Sequence, residues 1–542
     1  MTMLTIRTTP IRTALATLLL AGTALCAPAW AQDVQRGGTL NFTAPYGTSV
    51  GTLDITASAE VQTEIVAHAM HRSLYKWNPE TGKPEPDLFT DHKVSDDGLT
   101  HTYTLRSDAV FHNDKPLTAD DVVFSYNRIA APANASPSAD FISRIKGFAE
   151  VQSGAAKELA GLRKIDDHTV EITMIAPADP GFDLMQNYVP IYPSNVDGAS
   201  QATQPVGLGP FRFVEHVPGS RVSFERFDKF FGGDGKPYLD RLNIMIMGEA
   251  AARDVAFRNK EIDVSVLGSQ QYQDYQADPE LSKGLLEVAE LFTRVIGMDT
   301  SKPPFDDKRV RQAVNMAIDR NLIIERLVKG KAFPAVGFFP TTSPAFDPAR
   351  EGYKFDPEAA KALLAEAGHA DGIDLPVIAN ANESWGSPIV EAVIPMLARA
   401  GIRATVEPVE NAVLEDRITG GNFTGFIWSL SSGPDPLNIL RCFYSKTTVS
   451  ACNYTRFSNP EVDRLYEAAQ QERDETKRND LIRQAGDIIQ DEAPYWFFNY
   501  NKAVMAYQPW VHGLKGNPQE LAIQDYDSIW IDESAPSDRR PK

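Results

Sequence analysis

The residue types that carry out catalysis are present in this 542-residue chain, but they lack the spacings that catalysis uses. The sequence contains no Gly-x-Ser-x-Gly, no His-Glu-x-x-His, no phosphate-binding loop and no Cys-x-x-Cys. His68 and His71 have a spacing that would place them on one helix face, but a metal site needs further ligands. We therefore expect neither an enzyme nor a resident cofactor. A hydrolase remains an alternative, because a catalytic triad assembles from distant positions.

The first residues have the pattern of a secretory signal peptide. Two arginines precede a short apolar run at 14–25, and Ala29-Trp30-Ala31 fits the small-x-small cleavage pattern. The apolar run is about half the ~20 residues that a membrane-spanning helix needs, so an uncleaved anchor is the less favoured interpretation. We expect a cleaved leader at 1–31, a mature chain that begins at Gln32, and a periplasmic location.

The mature chain keeps two of the three cysteines, Cys442 and Cys452, because Cys26 lies in the leader. An even pair of cysteines, close in sequence in an exported protein, favours a disulfide. Two free thiols are the alternative that the residues alone leave open.

Acidic residues dominate the charge of the chain. The formal charge is −19, and it becomes −21 without the leader, which carries two arginines and no acidic residue. This much negative charge repels phosphate backbones and anionic lipids, so we expect no nucleic-acid partner and no membrane-surface partner.

Hydrophobic periodicity indicates alternating strands and helices. Residues 39–43 and 101–106 alternate as strands do, whereas apolar residues within 310–318 recur at helical spacing. Asp356 and Pro357 are typical of a helix start, and Gly368 of a left-handed stop. The pattern predicts an α/β protein, and its length predicts two or three domains. The polar tail at 536–542 is expected to be disordered.

Several stretches of the sequence match those of a known family in order. The most specific are DDGLTHTYTLR at 96–106 and FHNDKPLTADDVVFS at 111–125. Further matching stretches lie at 207–212, 258–263, 304–313, 356–368, 435–436 and 458–463. The chain resembles the extracellular solute-binding proteins of family 5, which serve ABC importers of peptides and nickel.

The resemblance implies an architecture and a set of partners. It implies a two-lobed periplasmic binding protein of type II, the large peptide-receptor type, with an extra α/β subdomain on lobe I. It also implies that Cys442 and Cys452 pair, that the protein is a monomer, and that it delivers a small-molecule or peptide ligand to permease subunits in the inner membrane. The expected division is a leader at 1–31, lobe I at 32–60, the accessory subdomain at 61–204, lobe I again at 205–288, lobe II at 289–504, and the last part of lobe I with the tail at 505–542.

The charged anchors of dipeptide receptors are missing from the matching positions. Those receptors hold the ligand's amine with an Asp just before the Asp-Pro motif and its carboxylate with an upstream Arg. Here no Asp lies between Trp428 and Pro434, and no Arg lies between Leu375 and Ser387. Neutral hydroxyls and amides do not replace such charge-assisted pairs at equal strength. A free dipeptide bound in the usual way is therefore not expected.

The remaining side chains suit a ligand held by hydrogen bonds and flat apolar contacts. Asparagine and serine side chains offer hydrogen bonds, tryptophans offer apolar faces, and Glu383 offers a partner for a cationic group. The expected ligand contacts are Trp428, Ser431, Ser432, Asn380, Asn382, Glu383, Trp385, Tyr46 and Thr48.

The sequence leaves several functions open beside a receptor for a peptide or peptide-like solute. A receptor for an opine, a glycoside or a polyol fits the same side chains. A nickel-chelate receptor would use His68 or His71. A sensor that shares the receptor fold and a periplasmic hydrolase are the remaining alternatives.

Cleavage of the leader can be checked on the exported protein. We expect the intact mass and the first residues of the periplasmic protein to correspond to a chain that begins at Gln32. A mass that includes residues 1–31 would contradict the leader.

Overall fold

The computed structural model describes residues 33–47, 49–58, 60–177, 179–185, 189–381 and 383–541. The predicted leader at 1–31 lies outside these residues. The strands are β1 (Thr39–Ala44), β2 (Tyr75–Asn78), β3 (Lys83–Pro86), β4 (Phe89–Val94), β5 (Thr100–Leu105), β6 (Leu162–Asp166), β7 (Thr169–Thr173), β8 (Phe211–Val217), β9 (Arg221–Arg226), β10 (Arg241–Ile246), β11 (Val264–Val266), β12 (Leu285–Met298), β13 (Ala332–Pro334), β14 (Ile373–Asn380), β15 (Ile402–Val409), β16 (Gly425–Ser431), β17 (Tyr495–Tyr507), β18 (Val511–His512) and β19 (Trp530–Ile531).

Helices alternate with these strands over much of the chain, as the periodicity predicts. They are α1 (Val61–Met70), α2 (Ala119–Ala130), α3 (Phe148–Gln152), α4 (Ala250–Arg258), α5 (Ser269–Ala277), α6 (Lys308–Met316), α7 (Arg320–Arg326), α8 (Pro357–Glu366), α9 (Ser387–Arg399), α10 (Asn411–Thr419), α11 (Pro436–Leu440), α12 (Pro460–Gln471) and α13 (Glu475–Glu492). The predicted start of α8 is confirmed, because the Asp356 side chain accepts a hydrogen bond from Ala359 N at 2.9 Å. Gly368 adopts the left-handed conformation that ends the segment.

Lobe I is built on a mixed four-stranded sheet in the order β1-β10-β9-β8. Strands β1 and β10 are parallel, and the chain between them contains the accessory subdomain. The apolar core of the lobe includes Phe42, Ile244 and, from the end of the chain, Trp510 and Ile531. The carboxyl-terminal segment therefore returns to complete lobe I.

The accessory subdomain has its own antiparallel sheet in the order β4-β5-β7-β6 and its own core. That core begins at Leu74 and ends at Leu208. Helix α1 packs Ile65 and Met70 into the core of lobe I. The start of the accessory subdomain at residue 61 stays a prediction.

Lobe II is built on a seven-stranded sheet with the path β11-β17-β12-β16-β14-β15, and β13 pairs with β17. Strands β12 and β17 are the longest, with 14 and 13 residues. Strand β17 pairs with β11 next to lobe I at one end and with the lobe II part of β12 at the other. The predicted lobe boundaries at 288/289 and 504/505 fall within these two strands.

The carboxyl-terminal tail was predicted to be disordered, and this prediction is wrong for the residues up to Arg539. Arg539 is 5% exposed, and its guanidinium donates to Asp263 Oδ1 at 2.6 Å. Trp510 Nε1 donates to the same oxygen at 2.8 Å. A buried carboxylate needs such partners, so this ion pair holds a polar segment that composition alone would leave free.

Cys442 and Cys452 form a disulfide, as predicted, which excludes the alternative of two free thiols. The bond closes a short loop within lobe II, between α11 and α12. We expect reduction to lower the free energy of unfolding by roughly 2–3 kcal/mol, since a short loop gives a small entropic gain.

Urea unfolding of the wild-type protein with and without a thiol reductant measures this contribution. The doubly substituted Cys442→Ser, Cys452→Ser protein is the control, because the reductant cannot change its midpoint. An unchanged wild-type midpoint on reduction would show that the bond does not stabilise the fold.

Candidate ligand-binding cleft

The predicted ligand contacts of lobe II gather at the carboxyl edge of its parallel strands. Strand β14 is parallel to both β15 and β16, so these strands end at the same edge of the sheet. Asn380 ends β14, Ser431 ends β16, and the loop after β14 carries Glu383 and Trp385. In α/β sheets, ligands bind at such carboxyl edges. Asn382 lies outside the described residues.

Two tryptophans and an arginine form an aromatic corner at this edge. The rings of Trp385 and Trp428 meet edge to face, with centroids 6.3 Å apart. The guanidinium carbon of Arg294, on β12, lies 5.3 Å from the centre of the Trp385 ring. All three side chains are half-buried. The corner offers a flat apolar surface beside a positive charge.

Lobe I contributes Tyr46, which follows β1. Its hydroxyl donates to Glu520 Oε1 at 2.8 Å, and Glu520 belongs to the carboxyl-terminal segment of lobe I. Burial raises the pKa of Tyr46 well above its usual range, and the negative charge of Glu520 raises it further. The predicted Thr48 lies outside the described residues.

A bulge in β12 joins the two sides of the cleft. Three residues, Glu290 to Phe292, stand opposite the single residue Asn501 of β17. Leu291 N donates to Pro518 O at 2.7 Å, and Leu291 O accepts from Ser432 N at 2.8 Å. The bulge is thus bonded to the carboxyl-terminal segment on one side and to the loop after β16 on the other.

Glu290, the first residue of the bulge, is held by two hydrogen bonds. Its carboxylate accepts from Leu521 N at 2.9 Å and from the side-chain amide of Asn501. Burial raises the pKa of Glu520 well above its usual range, and the negative charge of Glu290 raises it further. Two carboxyl groups so close in a buried site do not both ionise readily, and this is why the charge of Glu290 raises the pKa of Glu520.

Two cations lie beside these carboxyl groups. Burial lowers the pKa of Arg294 to about 10 and that of Lys331 to about 8, whereas the negative charge of Glu290 acts to raise both values. Lys331 precedes β13, in which Ala332 pairs with Asn501, the residue of β17 that stands opposite the bulge. Both side chains are predominantly protonated at pH 7. In the part of the chain that the structure describes, neither forms an ion pair.

The sequence of this chain matches a known protein family. Residues 83–451 match the bacterial extracellular solute-binding proteins of family 5, over more than half of the chain. The chain belongs to this family. The family consists of solute receptors, and its name places them outside the cytoplasm.

Individual relatives show the same relationship. Heme-binding protein A of Haemophilus influenzae is 30% identical over 80% of this chain and 82% of its own. The dipeptide-binding protein of Escherichia coli K12 is 26% identical over 85% of this chain and 89% of its own. The structure of the ABC transporter-associated periplasmic binding protein DppA from Helicobacter pylori, in complex with the peptide STSA, covers 92% of this chain and 98% of its own, with a TM-score of 0.75 and 22% identity. The two-lobed periplasmic-receptor fold is therefore confirmed.

The side chains of two predicted ligand contacts of this family 5 protein form hydrogen bonds within the protein. The Asn380 side chain donates to Asn411 Oδ1 at 2.9 Å and is 3% exposed. The Ser432 hydroxyl donates to Leu291 O at 3.1 Å and is 1% exposed. These side chains shape the cleft, and we leave them out of the proposed ligand contacts. Ser431 remains exposed.

The sequence reasoning missed four charged side chains of the cleft: Glu290, Arg294, Lys331 and Glu520. A signal was present for the first two, because both interrupt the apolar strand Leu285–Met298. No local pattern marks Lys331 or Glu520, which reach the cleft only through the pairing of β13 and the return of the tail.

The histidines do not form a metal site in the described residues. No group of three or more histidine, cysteine or acidic side chains is placed to hold an ion there. Burial lowers the pKa of His71 to about 3, and its ring packs against Tyr192 with centroids 5.0 Å apart. In the same part of the chain, no helix has the length and apolar composition needed to cross a membrane.

The buried carboxyl group predicts a pH dependence of stability. The pKa of Glu520 is raised in the folded protein above the 4.5 of an unfolded chain. Its stabilising effect is therefore complete below pH 4.5 and is lost as pH rises through the folded pKa. We expect Glu520→Gln to melt at a higher temperature than the wild type at pH 8 and at the same temperature at pH 4.

Glu351→Gln is a matched control for this melting series, because Glu351 is exposed. It should change the melting temperature little at either pH. A Glu520→Gln difference that is equal at pH 4 and pH 8 would contradict the raised pKa of this buried carboxyl group.

Proposed function

We propose that this protein is the periplasmic receptor of an ABC importer for peptides or peptide-like solutes, and that it binds its ligand by closing two lobes. The observation that carries the proposal is the composition of the cleft. Tyr46 and Glu520 come from lobe I, Arg294, Trp385 and Trp428 come from lobe II, and Glu290 of β12 is hydrogen-bonded to Leu521 N, next to Glu520. A ligand between them would contact both lobes and thereby favour the closed state.

The contacts between the accessory subdomain and lobe II are too weak to close the protein by themselves. Lys83 Nζ pairs with Glu475 Oε2 at 2.7 Å, but both side chains are more than half exposed. Arg473 donates to Asp97 O at 3.0 Å, also at the surface. Exposed pairs of this kind contribute about 0–1 kcal/mol. We infer that the contacts of a bound ligand with both lobes supply most of the free energy of closure.

The names of the relatives support a peptide ligand. The Escherichia coli relative is a dipeptide-binding protein, and the Helicobacter pylori structure contains a tetrapeptide. Heme is the second candidate, because the Haemophilus influenzae relative is a heme-binding protein and is 30% identical. We propose no catalytic role, and the permease in the inner membrane is the proposed partner.

Binding can be tested with a synthetic pool of di- to tetrapeptides and, separately, with hemin. Native mass spectrometry of the purified protein should show a peptide bound at one-to-one stoichiometry. A peptide present at 100 times its dissociation constant should stabilise the fold by about 2.7 kcal/mol in thermal unfolding. Absence of any peptide-bound species would contradict the peptide assignment, and a Soret shift with hemin would assign the cargo to heme.

Trp428 should supply a large share of the contact energy. Truncation of a half-buried aromatic anchor typically costs about 2 kcal/mol or more, so we expect Trp428→Ala to weaken binding of the captured peptide at least about thirty-fold. Phe355→Ala, at an exposed aromatic elsewhere on lobe II, is the matched control and should leave binding unchanged. Equal affinity of both variants would remove Trp428 from the site.

A further inference from the structure

A cavity of about 340 Å³ lies in lobe II between the start of α7, the end of β13 and the segment before α8. Three of its lining residues, Asn321, Pro334 and Lys354, are exposed, so the cavity is open to solvent. None of its lining residues is a predicted ligand contact or one of the charged side chains of the cleft. Its volume is in the range of cavities that bind small molecules. The cavity is therefore a candidate site of its own.

Arg320 is the charged side chain buried in the wall of this cavity. It is 8% exposed, and its Nη1 donates to Ala335 O. Among the described residues this is the only hydrogen bond of the guanidinium, and no carboxylate there lies within ion-pair distance of it. Its Nε and Nη2 have no partner in the same residues and are not fully buried, so they are open to the cavity.

Other buried arginines of this protein have a more complete set of partners. Arg253 donates to several backbone carbonyl oxygens, and Arg311 pairs with Glu492 at 3.0 Å. A single bond to a carbonyl oxygen needs one donor and no charge, whereas burial of a cation without a counter-ion destabilises a fold. The bond to Ala335 therefore does not explain why the cavity contains the charge of Arg320.

The residues around Arg320 accommodate its guanidinium without neutralising it. A Cβ atom at position 352 would lie 2.6 Å from Arg320 Nη1, so Gly352 leaves the room that the guanidinium occupies. Asp319 also lines the cavity, but its carboxylate accepts a hydrogen bond from Leu322 N at 3.0 Å. The positive charge thus stays available to a molecule that enters the cavity.

The rest of the lining suits an anion that carries an apolar group. Asn321 adds an amide, and Lys354 adds an ammonium group whose pair with Glu351, at 3.4 Å, is exposed and therefore weak. Pro334 and Val336 add apolar surface. A guanidinium binds a carboxylate or a phosphate group through two parallel hydrogen bonds, which a neutral amide cannot replace.

We propose that this cavity is a second ligand site, in which Arg320 binds the carboxylate or phosphate group of a small organic anion. The site is separate from the cleft, so the inference goes beyond the proposed receptor function and is independent of the ligand that the cleft binds. Carboxylates and phosphate monoesters share the oxyanion that a guanidinium recognises, and the test distinguishes between them.

Calorimetric titration of the purified protein with benzoate, phenyl phosphate and the neutral benzamide tests the site. The wild type is compared with Arg320→Gln and with Asn321→Asp, which adds a negative charge to the lining of the cavity. An acidic residue is favourable in the first turn of a helix, so Asn321→Asp preserves the fold. Asn422→Asp, at an exposed asparagine elsewhere on lobe II, is the control for the change in net charge.

We expect the wild type and Asn422→Asp to bind at least one of the two anions, and to bind benzamide at least ten-fold more weakly. Arg320→Gln should weaken the anion at least ten-fold, because the charge-assisted hydrogen bonds are lost. Asn321→Asp should weaken it by a similar factor through repulsion. Tighter binding of phenyl phosphate would assign the site to phosphate monoesters, and tighter binding of benzoate would assign it to carboxylates.

Several results would overturn the second site. They are the absence of binding of either anion to the wild type, equal affinity for benzamide, and anion affinity that is the same in the wild type and in Asn321→Asp. Asn321→Asp alone decides the matter if Arg320→Gln does not fold. An equal loss of affinity in Asn422→Asp would also overturn the site, because it would show an effect of net charge rather than of the cavity.

Discussion

The interrupted pairing of β12 with β17 determines how the two lobes meet. Three residues of β12 stand opposite Asn501. Backbone and side-chain groups of these residues that do not pair with β17 form hydrogen bonds outside the sheet. Leu291 reaches Pro518 and Ser432, while Glu290 reaches Leu521 N. Bulges bend a strand and redirect its side chains. This one redirects Glu290 toward lobe I and leaves Arg294, just beyond it, at the aromatic corner of lobe II.

The fold was predictable from the sequence wherever local chemistry and the family pattern agree. The start of α8 at Asp356 and Pro357, the strand at 39–43 and the pairing of Cys442 with Cys452 needed only caps, alternation and the matching motifs. The error at the carboxyl-terminal tail arose where a tertiary contact overrules composition. Arg539 is ordered because it pairs with the buried Asp263.

The candidate site was predictable only in part. The rings of Trp385 and Trp428 meet near the edge where the parallel strands end. The role of these two residues and of Ser431 as ligand contacts stays a prediction. Asn380 and Ser432 lie at the predicted edge of the sheet, but their side chains form hydrogen bonds within the protein. No sequence pattern reveals these bonds. The absence of charged anchors near 376–385 and 428–434 predicted a ligand held by hydrogen bonds and flat apolar contacts, whereas the structure adds charged side chains from β12 and from the residue before β13. The pairing of strands that are distant in sequence determines which charged side chains lie in this cleft.

Closure of two lobes on a ligand is the claim on which the rest depends, and small-angle X-ray scattering tests it most directly. The radius of gyration of the purified protein is measured before and after saturation with the peptide species that native mass spectrometry finds bound. Lobe closure predicts a smaller radius of gyration in the bound state. At partial saturation it predicts a scattering profile that is a mixture of the profiles of the free and bound forms. Stoichiometric binding with an unchanged scattering profile would contradict it.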